Sequence, residues 1–479
     1  MGYIQGESRD QVTLFPEIMD HYISEDNLVR FIDAFVDDLD MLQLGFNHSI
    51  TSYTGRYPFD PKDMLKLYIY CYVIKIRSSR RIEEETHRNI ELMWLIRKLK
   101  PDYKTISNFK KDNCNILKKV FKEFVFLCKS LELFGEKLIA VDGSKFKAVN
   151  SKDNCFTSKQ IQKNLQKIEE DINKYLKDLN TKDKEEDKET EIRDKKLQEK
   201  IKSLQQVKNI YKELEKKMNE SGESQISLTD ADSRLMKTRH GNDVCYNVQV
   251  AADEKHKLIV DFDVTNDCND TNQLNNISTA AKETLGVEKI DVLADTGYFS
   301  NKEIKDSIDN GITPYIPEPL KNNSSEENKK YCKDNFLYNK EKDVYVCPNN
   351  CELAYRENFK DKKTGEKYKI YRTNSCKNCP IRKKCTDDLK RGRKIQRWVD
   401  EHLIEEMKSR CNNEIDKTKQ RKEIIEHIFG TIKRGFNQGH FLTIGSSNVT
   451  GEFSLTALSY NIIRVANIIG IKKMIKAIS

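Results

Sequence analysis

Apolar residues recur at helical spacing through the first quarter of the chain, in five segments between residues 27 and 133. Short predicted helices occupy residues 80–100, and a basic helix with Lys110 and Lys111 follows them. That order is typical of a helix-turn-helix module, in which one helix contacts DNA. We therefore predict a helical N-terminal domain over residues 1–134 that binds DNA through Lys110 and Lys111. An ordinary all-helical domain would produce the same pattern.

Beyond residue 135 the apolar residues gather in short runs that are typical of β-strands. KLIAVDGSKF is predicted to be a buried strand that ends in a turn at Asp142. Further strands are predicted at VCYNVQVAAD, KLIVDFDVT, KIDVLAD and ITPYIPE, with helices between the later ones. Strands interleaved with helices indicate a mixed α/β core, which we assign to residues 135–156 and 221–317.

A strongly polar segment, residues 157–220, interrupts that core. Its apolar residues step by threes and fours in two arms, and the charged stretch TKDKEEDKETEIRDKK lies between them. Two such arms joined by a polar bend predict an antiparallel coiled-coil hairpin inserted into the fold. A disordered charged linker is the alternative, because the apolar seam is thin.

Residues 318–393 are a second polar insertion, rich in cysteine. The candidate metal ligands are Cys347, Cys376, Cys379 and Cys385. Their spacing, which includes a C-x-x-C pair, is compatible with a tetrahedral Zn²⁺ site of four thiolates. Cys351 competes with Cys347 for the fourth position, and an iron–sulfur cluster or plain reduced thiols would fit the same residues. We predict a zinc-knuckle-like insertion.

Charge and hydropathy permit a nucleic-acid-binding protein and argue against a membrane-spanning or secreted one. The formal net charge is +8, which permits an anionic partner such as nucleic acid. Residues 394–479 return to helical spacing, and basic residues interrupt their apolar end, so it falls short of the roughly 18 unbroken apolar residues of a membrane helix. The first residues lack the features of a secretory signal. We therefore expect a cytoplasmic protein with reduced thiols.

Three acidic residues are candidates for chemistry. Asp142 and Asp295 each follow a run of apolar strand residues and precede a turn that contains glycine. The carboxyl ends of buried strands form the rim where α/β folds build their sites, although an aspartate there can also simply cap a turn. Glu426 lies among the isoleucines of a basic helix, where its burial would call for a partner. Glu423, one turn earlier, is the competing acid.

Three converging carboxylates suit phosphoryl transfer. Two Mg²⁺ ions, roughly 4 Å apart, are held by oxygen ligands in such sites, where one ion activates the attacking hydroxyl and the other stabilises the leaving oxygen. Asp142 would bridge both ions, while Asp295 and Glu426 would each hold one.

The ordered motifs IAVDGSKFKA, VLADTGYFS and RKEIIEHIFGTIKR resemble those of the DDE-class transposases of bacterial insertion sequences. The resemblance extends to GRYPFDPKDMLKLYIYCYV, DYKTISNFKK, TDADSRLMKTRHG, YNVQVAAD and LSYNIIRV, and so covers nearly the whole chain. It implies a ribonuclease H-like catalytic core with Asp142, Asp295 and Glu426 as catalytic triad and Mg²⁺ or Mn²⁺ as cofactor. Cys245 departs from the pattern, because a glycine is expected before Tyr246.

The resemblance also implies an activity and its partners. A protein of this family binds the terminal inverted repeats of its own element, cuts double-stranded DNA at the ends and joins them to target DNA. Arg421, Lys433 and Arg434, on the helix of Glu426, would contact phosphates, although a solvated basic face looks the same. We expect a homodimer or larger oligomer on DNA, associated with the bacterial nucleoid. The alternative is a catalytically silent DNA-binding relative that acts as a repressor or host factor.

Overall fold

The computed structural model describes residues 18–49, 58–180, 188–222, 225–239, 241–319, 331–362, 364–388 and 390–478. The N-terminal part of these residues is helical, as predicted. Its helices are α1 (Leu28–Asp38), α2 (Met41–Leu44), α3 (Pro61–Val73), α4 (Ser79–Arg88), α5 (Ile90–Leu95), α6 (Tyr103–Asp112) and α7 (Cys114–Ser130). Side chains of Asn27, Asp40, Asp60 and Asp102 accept hydrogen bonds from backbone N–H groups at four of the helix starts. The GRYPF part of the GRYPFDPKD motif lies largely outside the described residues.

A mixed sheet follows the helices. It contains β1 (Leu138–Lys147), β4 (Arg234–Thr238), β5 (Gly241–Asp253), β6 (Ile259–Thr265), β7 (Ile290–Leu293) and β8 (Ile312–Tyr315), while β2 (Cys155–Thr157) and β3 (Gln225–Ser227) pair separately. The strand order is β4-β5-β1-β7-β8, and β6 also pairs with β5. Strands β5 and β6 run antiparallel to their neighbours, whereas β7 and β8 are parallel to β1. Helices α10 (Leu274–Leu285) and α11 (Asn301–Asp309) connect the later strands, which confirms the mixed α/β class.

Strand β1 does not end at Asp142, so the predicted turn there is wrong. The strand continues to Lys147, and its antiparallel pairing with β5 runs through Asp142 opposite Val250 and Gly143 opposite Gln249. The apolar run stops at Val141 because the strand leaves the fully buried interior there, although its backbone stays hydrogen-bonded to β5.

The first insertion is a pair of antiparallel helices, α8 (Ser158–Asn180) and α9 (Lys188–Ser221). Ile161 near the start of α8 clusters with Leu214 and Met218 near the end of α9. An ion pair of 2.7 Å joins Glu169 to Lys208. The predicted bend, residues 181–187, lies outside the described residues, and the supercoiled geometry of a coiled coil stays a prediction.

The second insertion contains a five-stranded antiparallel sheet that the sequence did not predict. Its order is β13 (Ile395–Trp398), β12 (Lys367–Arg372), β11 (Glu352–Lys360), β10 (Val344–Val346) and β9 (Leu337–Asn339). A small core of aromatic and aliphatic side chains holds it together: Phe336, Tyr345, Leu353, Tyr371 and Ile395. The polar composition hid these strands because β11 is exposed along almost its whole length. The sheet also extends beyond the predicted boundary at residue 393.

The last part of the chain forms helices that pack against the core. They are α12 (Glu401–Asn413), α13 (Ile415–Arg421), α14 (His427–Gly430), α15 (Ser446–Ile469) and α16 (Ile471–Lys476), and π-helical turns occupy Lys422–Glu426 and Thr431–Gly435. Helix α15 packs on the sheet, where the Asn461 amide bonds both backbone groups of Ile259 at 2.9 and 2.8 Å. It also contacts α7 so closely that a Cβ on Gly451 would lie 2.8 Å from the Cys114 carbonyl.

Among the residues that the structure describes, no helix is both long and apolar enough to cross a membrane.

Candidate active site

Asp142 and Asp295 lie at equivalent positions on neighbouring parallel strands. The pairing of β1 with β7 ends at Ala140 opposite Leu293, and each aspartate follows two residues later. Strand β7 then turns away, so β1 loses this neighbour just before Asp142. Both carboxylates therefore stand at the edge of the sheet where the parallel pairing stops, as predicted for the carboxyl end of β7.

The carboxylate of Asp142 is mostly buried and poorly stabilised as an anion. Burial and, to a smaller extent, the negative charge of Asp295 raise its pKa from 3.8 to about 6, against the opposing effect of Arg421. Arg421 Nη1 donates to Asp142 Oδ2 at 3.1 Å, and the Gly143 N–H donates to Oδ1 at 2.9 Å. The negative charge of Asp295 is therefore close enough to act on the Asp142 carboxylate.

Asp295 starts the short 3₁₀ turn Thr296–Tyr298. Its Oδ1 accepts a hydrogen bond from the Gly297 N–H at 2.8 Å, which fixes the carboxylate against the turn. Tyr298, the last residue of the turn, is fully buried, and its hydroxyl donates to Gln249 Oε1 on β5. The turn is therefore tied to the central sheet.

Glu426 reaches the site through an irregularity in its helix. In a regular α-helix, residues five apart differ in direction by about 140° around the axis. Residues Lys422–Glu426 instead form a π-helical turn, whose i to i+5 hydrogen bonding brings residues five apart onto one face. Arg421 Nη2 consequently lies 3.8 Å from Glu426 Oε1 while Nη1 holds Asp142. One guanidinium thus connects the first and third predicted catalytic acids.

The expectation that Glu426 is buried among isoleucines is wrong. Its side chain is 57% exposed, while Ile424 and Ile425 are buried beside it. The π-helical turn moves the glutamate out of the apolar stripe that a regular helix would give it. Glu423 is exposed as well.

The other predicted DNA contacts differ in their exposure. Lys111 and Arg434 are exposed. Lys433 is hydrogen-bonded to β1, because its Nζ donates to Ser144 Oγ at 2.7 Å and to the Lys145 carbonyl at 2.6 Å. Burial lowers its pKa to about 8. Arg421 is only 14% exposed and its guanidinium contacts Asp142, so its contact with a DNA phosphate stays a prediction.

Lys110 is not suited to contact DNA, which corrects its predicted role. Its side chain is buried, with Nζ 5.9 Å from the centre of the Tyr68 ring. Burial also lowers the pKa of its ammonium group. Helical periodicity did not reveal this, because α6 turns one of its two adjacent lysines inward and the other outward.

Sequence reasoning missed a polar cluster next to the site. Asp270, in the loop before α10, accepts hydrogen bonds from the side-chain amides of Asn247 and Gln249 on β5, both at 2.7 Å. Asn247 and Gln249 are fully buried. The signal available in the sequence was the pair of amides at alternate positions of the run 244–252, whose other residues are apolar or aromatic.

The predicted zinc ligands come together at one place. Cys347, Cys376, Cys379 and Cys385 all line a cavity of about 20 Å³, large enough for one water molecule or ion. The pKa of the Cys385 thiol is raised, first by burial and then by the nearby cysteines. Cys351 does not line the cavity, but its backbone N–H donates to Cys347 Sγ at 3.3 Å.

Across the described ranges, no three His, Cys, Asp or Glu side chains are arranged to hold a metal.

The raised pKa of Asp142 predicts a pH-dependent stability effect. Above pH 6 the charged carboxylate destabilises the folded protein, whereas below about pH 4 both folded and unfolded states are protonated and the penalty disappears. Asp142→Asn should therefore stabilise the metal-free protein at pH 7.5 by about 1–3 kcal/mol. The gain should shrink as the pH falls from 6 towards 4. Thermal unfolding of both proteins measures this, with the exposed Asp267→Asn as control; a variant that is less stable at pH 7.5 contradicts it.

Comparison with known proteins agrees with the sequence motifs. Residues 17–112 match the family described as Transposase domain (DUF772), and residues 346–466, which include Glu426 and the four cysteines, match the family described as Transposase DDE domain. No curated protein matches the chain.

A cryo-EM structure of a piggyBac transposase synaptic complex with hairpin DNA aligns over 95% of this chain and 79% of that chain. The sequence identity is 9% and the TM-score is 0.31, which is too low to show a shared fold. The family matches stand independently of that alignment. They confirm the predicted family: this chain carries the domains of a DDE-class transposase of an insertion sequence.

Proposed function

We propose that this protein binds the terminal inverted repeats of its insertion sequence and catalyses Mg²⁺-dependent DNA cleavage and strand transfer. The observation that carries the proposal is the arrangement of Asp142 and Asp295 at equivalent positions of β1 and β7, with Arg421 joining Asp142 to Glu426. A mixed sheet with its acids at this edge supports a ribonuclease H-like core.

The donor set suits hard divalent cations. All three candidate ligands are carboxylates, which are the groups that Mg²⁺ and Mn²⁺ prefer. The Arg421 guanidinium lies between the Asp142 and Glu426 carboxylates, in the place that a cation held by both acids would take. When bound, a pair of divalent ions would activate the attacking oxygen and stabilise the leaving oxygen of the phosphodiester.

The remaining residues of the site orient the acids and the DNA. Lys433 anchors the helix of Glu426 to β1 through Ser144 and the Lys145 carbonyl, and so holds the third acid near the first. Arg421 neutralises the carboxylates before the site is loaded. The exposed Lys111 and Arg434 are the proposed phosphate contacts, acting through charge and not through base recognition.

We assign a pairing role to the insertion of α8 and α9. Two DNA ends must be brought together before they are joined, and a long helical pair with few contacts to the core offers a surface for the association of protomers. A chain without residues 157–220 should lose the DNA-dependent dimer or larger oligomer in gel filtration. An unchanged oligomeric state, with and without DNA, would refute this role.

The Cys-rich insertion is proposed to hold one structural Zn²⁺ through Cys347, Cys376, Cys379 and Cys385. The four thiols line a single small cavity, which supports this set over one containing Cys351. Thiolates are the preferred ligands of structural zinc, and binding would add folding free energy to a sheet with few buried residues.

Cleavage of the element's own DNA ends tests the proposed function. A labelled duplex carrying the flanking terminal repeats should be cut at the repeat ends in Mg²⁺ or Mn²⁺, and should be bound but uncut in EDTA. A duplex with scrambled repeats serves as control. Binding without cleavage under all conditions would favour the silent DNA-binding relative, which acts as a repressor or host factor.

A further inference from the structure

Asp270 stands at the centre of a hydrogen-bonded network beside the proposed active site. Its Oδ1 accepts both the Asn247 Nδ2 and the Gln249 Nε2 donors at 2.7 Å, and Lys145 Nζ lies 3.6 Å away. Gln249 uses its other amide atom, Oε1, to accept the hydroxyl of Tyr298. A continuous chain of hydrogen bonds therefore runs from Asp270 through Gln249 to Tyr298.

This chain ends on the turn that carries Asp295. Tyr298 is the last residue of the turn Thr296–Tyr298, whose Gly297 N–H donates to the Asp295 carboxylate. A Cβ built on Gly297 would lie 2.9 Å from Asp295 Oδ1 and 3.8 Å from Asp270 Oδ2. Asp270 thus packs against the same turn from which Asp295 projects.

The network also touches the catalytic strand immediately after Asp142. A Cβ on Gly143 would lie 2.5 Å from both Asp270 Oδ1 and Gln249 Nε2. Only a residue without a side chain lets the network approach β1 this closely. The cluster therefore connects the backbone beside the first catalytic acid with the turn of the second.

Burying this polar cluster costs free energy of folding, which argues against a role in stability alone. Asn247 is fully buried, yet within the described part of the chain its Oδ1 has no hydrogen-bond partner. Each buried polar group without a partner costs about 1–3 kcal/mol. Such costs are concentrated at functional sites, where local stability is given up for geometry.

We propose that Asp270 is a positioning residue for Asp295. By holding the Gln249 amide in one orientation, Asp270 presents Oε1 to the Tyr298 hydroxyl and so fixes the turn that aims the Asp295 carboxylate. This inference rests on the proposed function, because it assigns Asp270 a role in preparing the same site for divalent cations.

Variants of the network separate positioning from folding. Tyr298→Phe removes only the hydroxyl at one end, and Asp270→Ala removes the acceptor at the other. Asp270→Asn keeps an oxygen that can accept both amides, and so should behave like wild type. The matched control is Tyr246→Phe, which removes another buried tyrosine hydroxyl on β5, one that donates to Asp230 instead.

The measurements are the Mg²⁺ concentration for half-maximal cleavage and the rise in unfolding temperature that Mn²⁺ produces without DNA. Tyr298→Phe and Asp270→Ala should raise the half-maximal Mg²⁺ concentration by about 10–100-fold, the usual effect of losing a group that orients metal ligands. They should also reduce the Mn²⁺-induced shift, whereas Tyr246→Phe should leave both unchanged.

The outcomes distinguish this inference from the proposed function. If the wild type cuts DNA and both variants keep its metal dependence, the positioning role of Asp270 is refuted and the proposed function stands. If the wild type cuts no DNA but Mn²⁺ raises its unfolding temperature and the variants lose that shift, the proposed function fails and the positioning role stands. A wild type with neither cleavage nor a metal-induced shift refutes both.

Discussion

Asp142→Asn and Asp295→Asn should each reduce metal-dependent cleavage of the element's ends by about 10³-fold or more. Bound divalent ions contribute several kcal/mol to transition-state stabilisation, and each 1.36 kcal/mol is a factor of ten in rate. Asparagine keeps the shape of aspartate but removes the negative charge that attracts the ions. DNA binding in EDTA should be retained, because neither aspartate is proposed to contact phosphate.

Glu426→Gln should show a comparable loss, and Glu423→Gln provides the matched control. Both glutamates are exposed residues of the same π-helical turn, but only Glu426 is within 3.8 Å of the guanidinium that binds Asp142. Single-turnover cleavage rates for the four variants make the comparison. An active Glu426→Gln protein together with an inactive Glu423→Gln protein would transfer the third ligand to Glu423.

Removal of zinc should unfold the Cys-rich insertion. Structural Zn²⁺ sites contribute on the order of 10 kcal/mol of apparent binding free energy, while the core of this insertion has only six buried residues among those described. Protein prepared without chelators should contain one zinc per chain. Chelation should expose the segment around β9–β13 to proteases while the rest of the fold resists them.

Cysteine variants identify the ligands. Cys376→Ser or Cys379→Ser should abolish the stoichiometric zinc, whereas Cys351→Ser should retain it, because Cys351 lies outside the cavity. Elemental analysis and limited proteolysis measure both effects. Zinc-free protein whose insertion resists proteolysis equally well would refute the site, and an iron content with visible absorbance would identify an iron–sulfur cluster instead.

The first two acids could be found from sequence because a simple rule governs them. A buried strand needs apolar residues, so an aspartate directly after VLA or IAV marks the point where the chain reaches an edge. The rule did not predict that β1 continues beyond Asp142. The strand continues because its backbone stays paired with β5 as far as Lys147, although its apolar run has ended.

Other features depended on structure that local patterns do not encode. The face on which Glu426 lies is set by a π-helical turn, whereas sequence periodicity assumes 3.6 residues per turn. Asp270 lies in an irregular loop, and its partners Asn247 and Gln249 are distant in sequence. The five-stranded sheet of the insertion was not predicted because its longest strand, β11, is exposed along almost its whole length.

Counting the divalent ions bound by the protein on its DNA ends is the most direct test of the proposed metal site. Electron paramagnetic resonance titration of Mn²⁺ should find two ions per active site in the wild-type complex. It should find fewer bound ions in Asp142→Asn, because the Asp142 carboxylate is proposed to bridge both ions. Glu423→Gln should bind the same number of ions as the wild type. Equal Mn²⁺ binding by the wild type and Asp142→Asn would contradict the assignment of Asp142 as the bridging ligand of a two-metal transposase site.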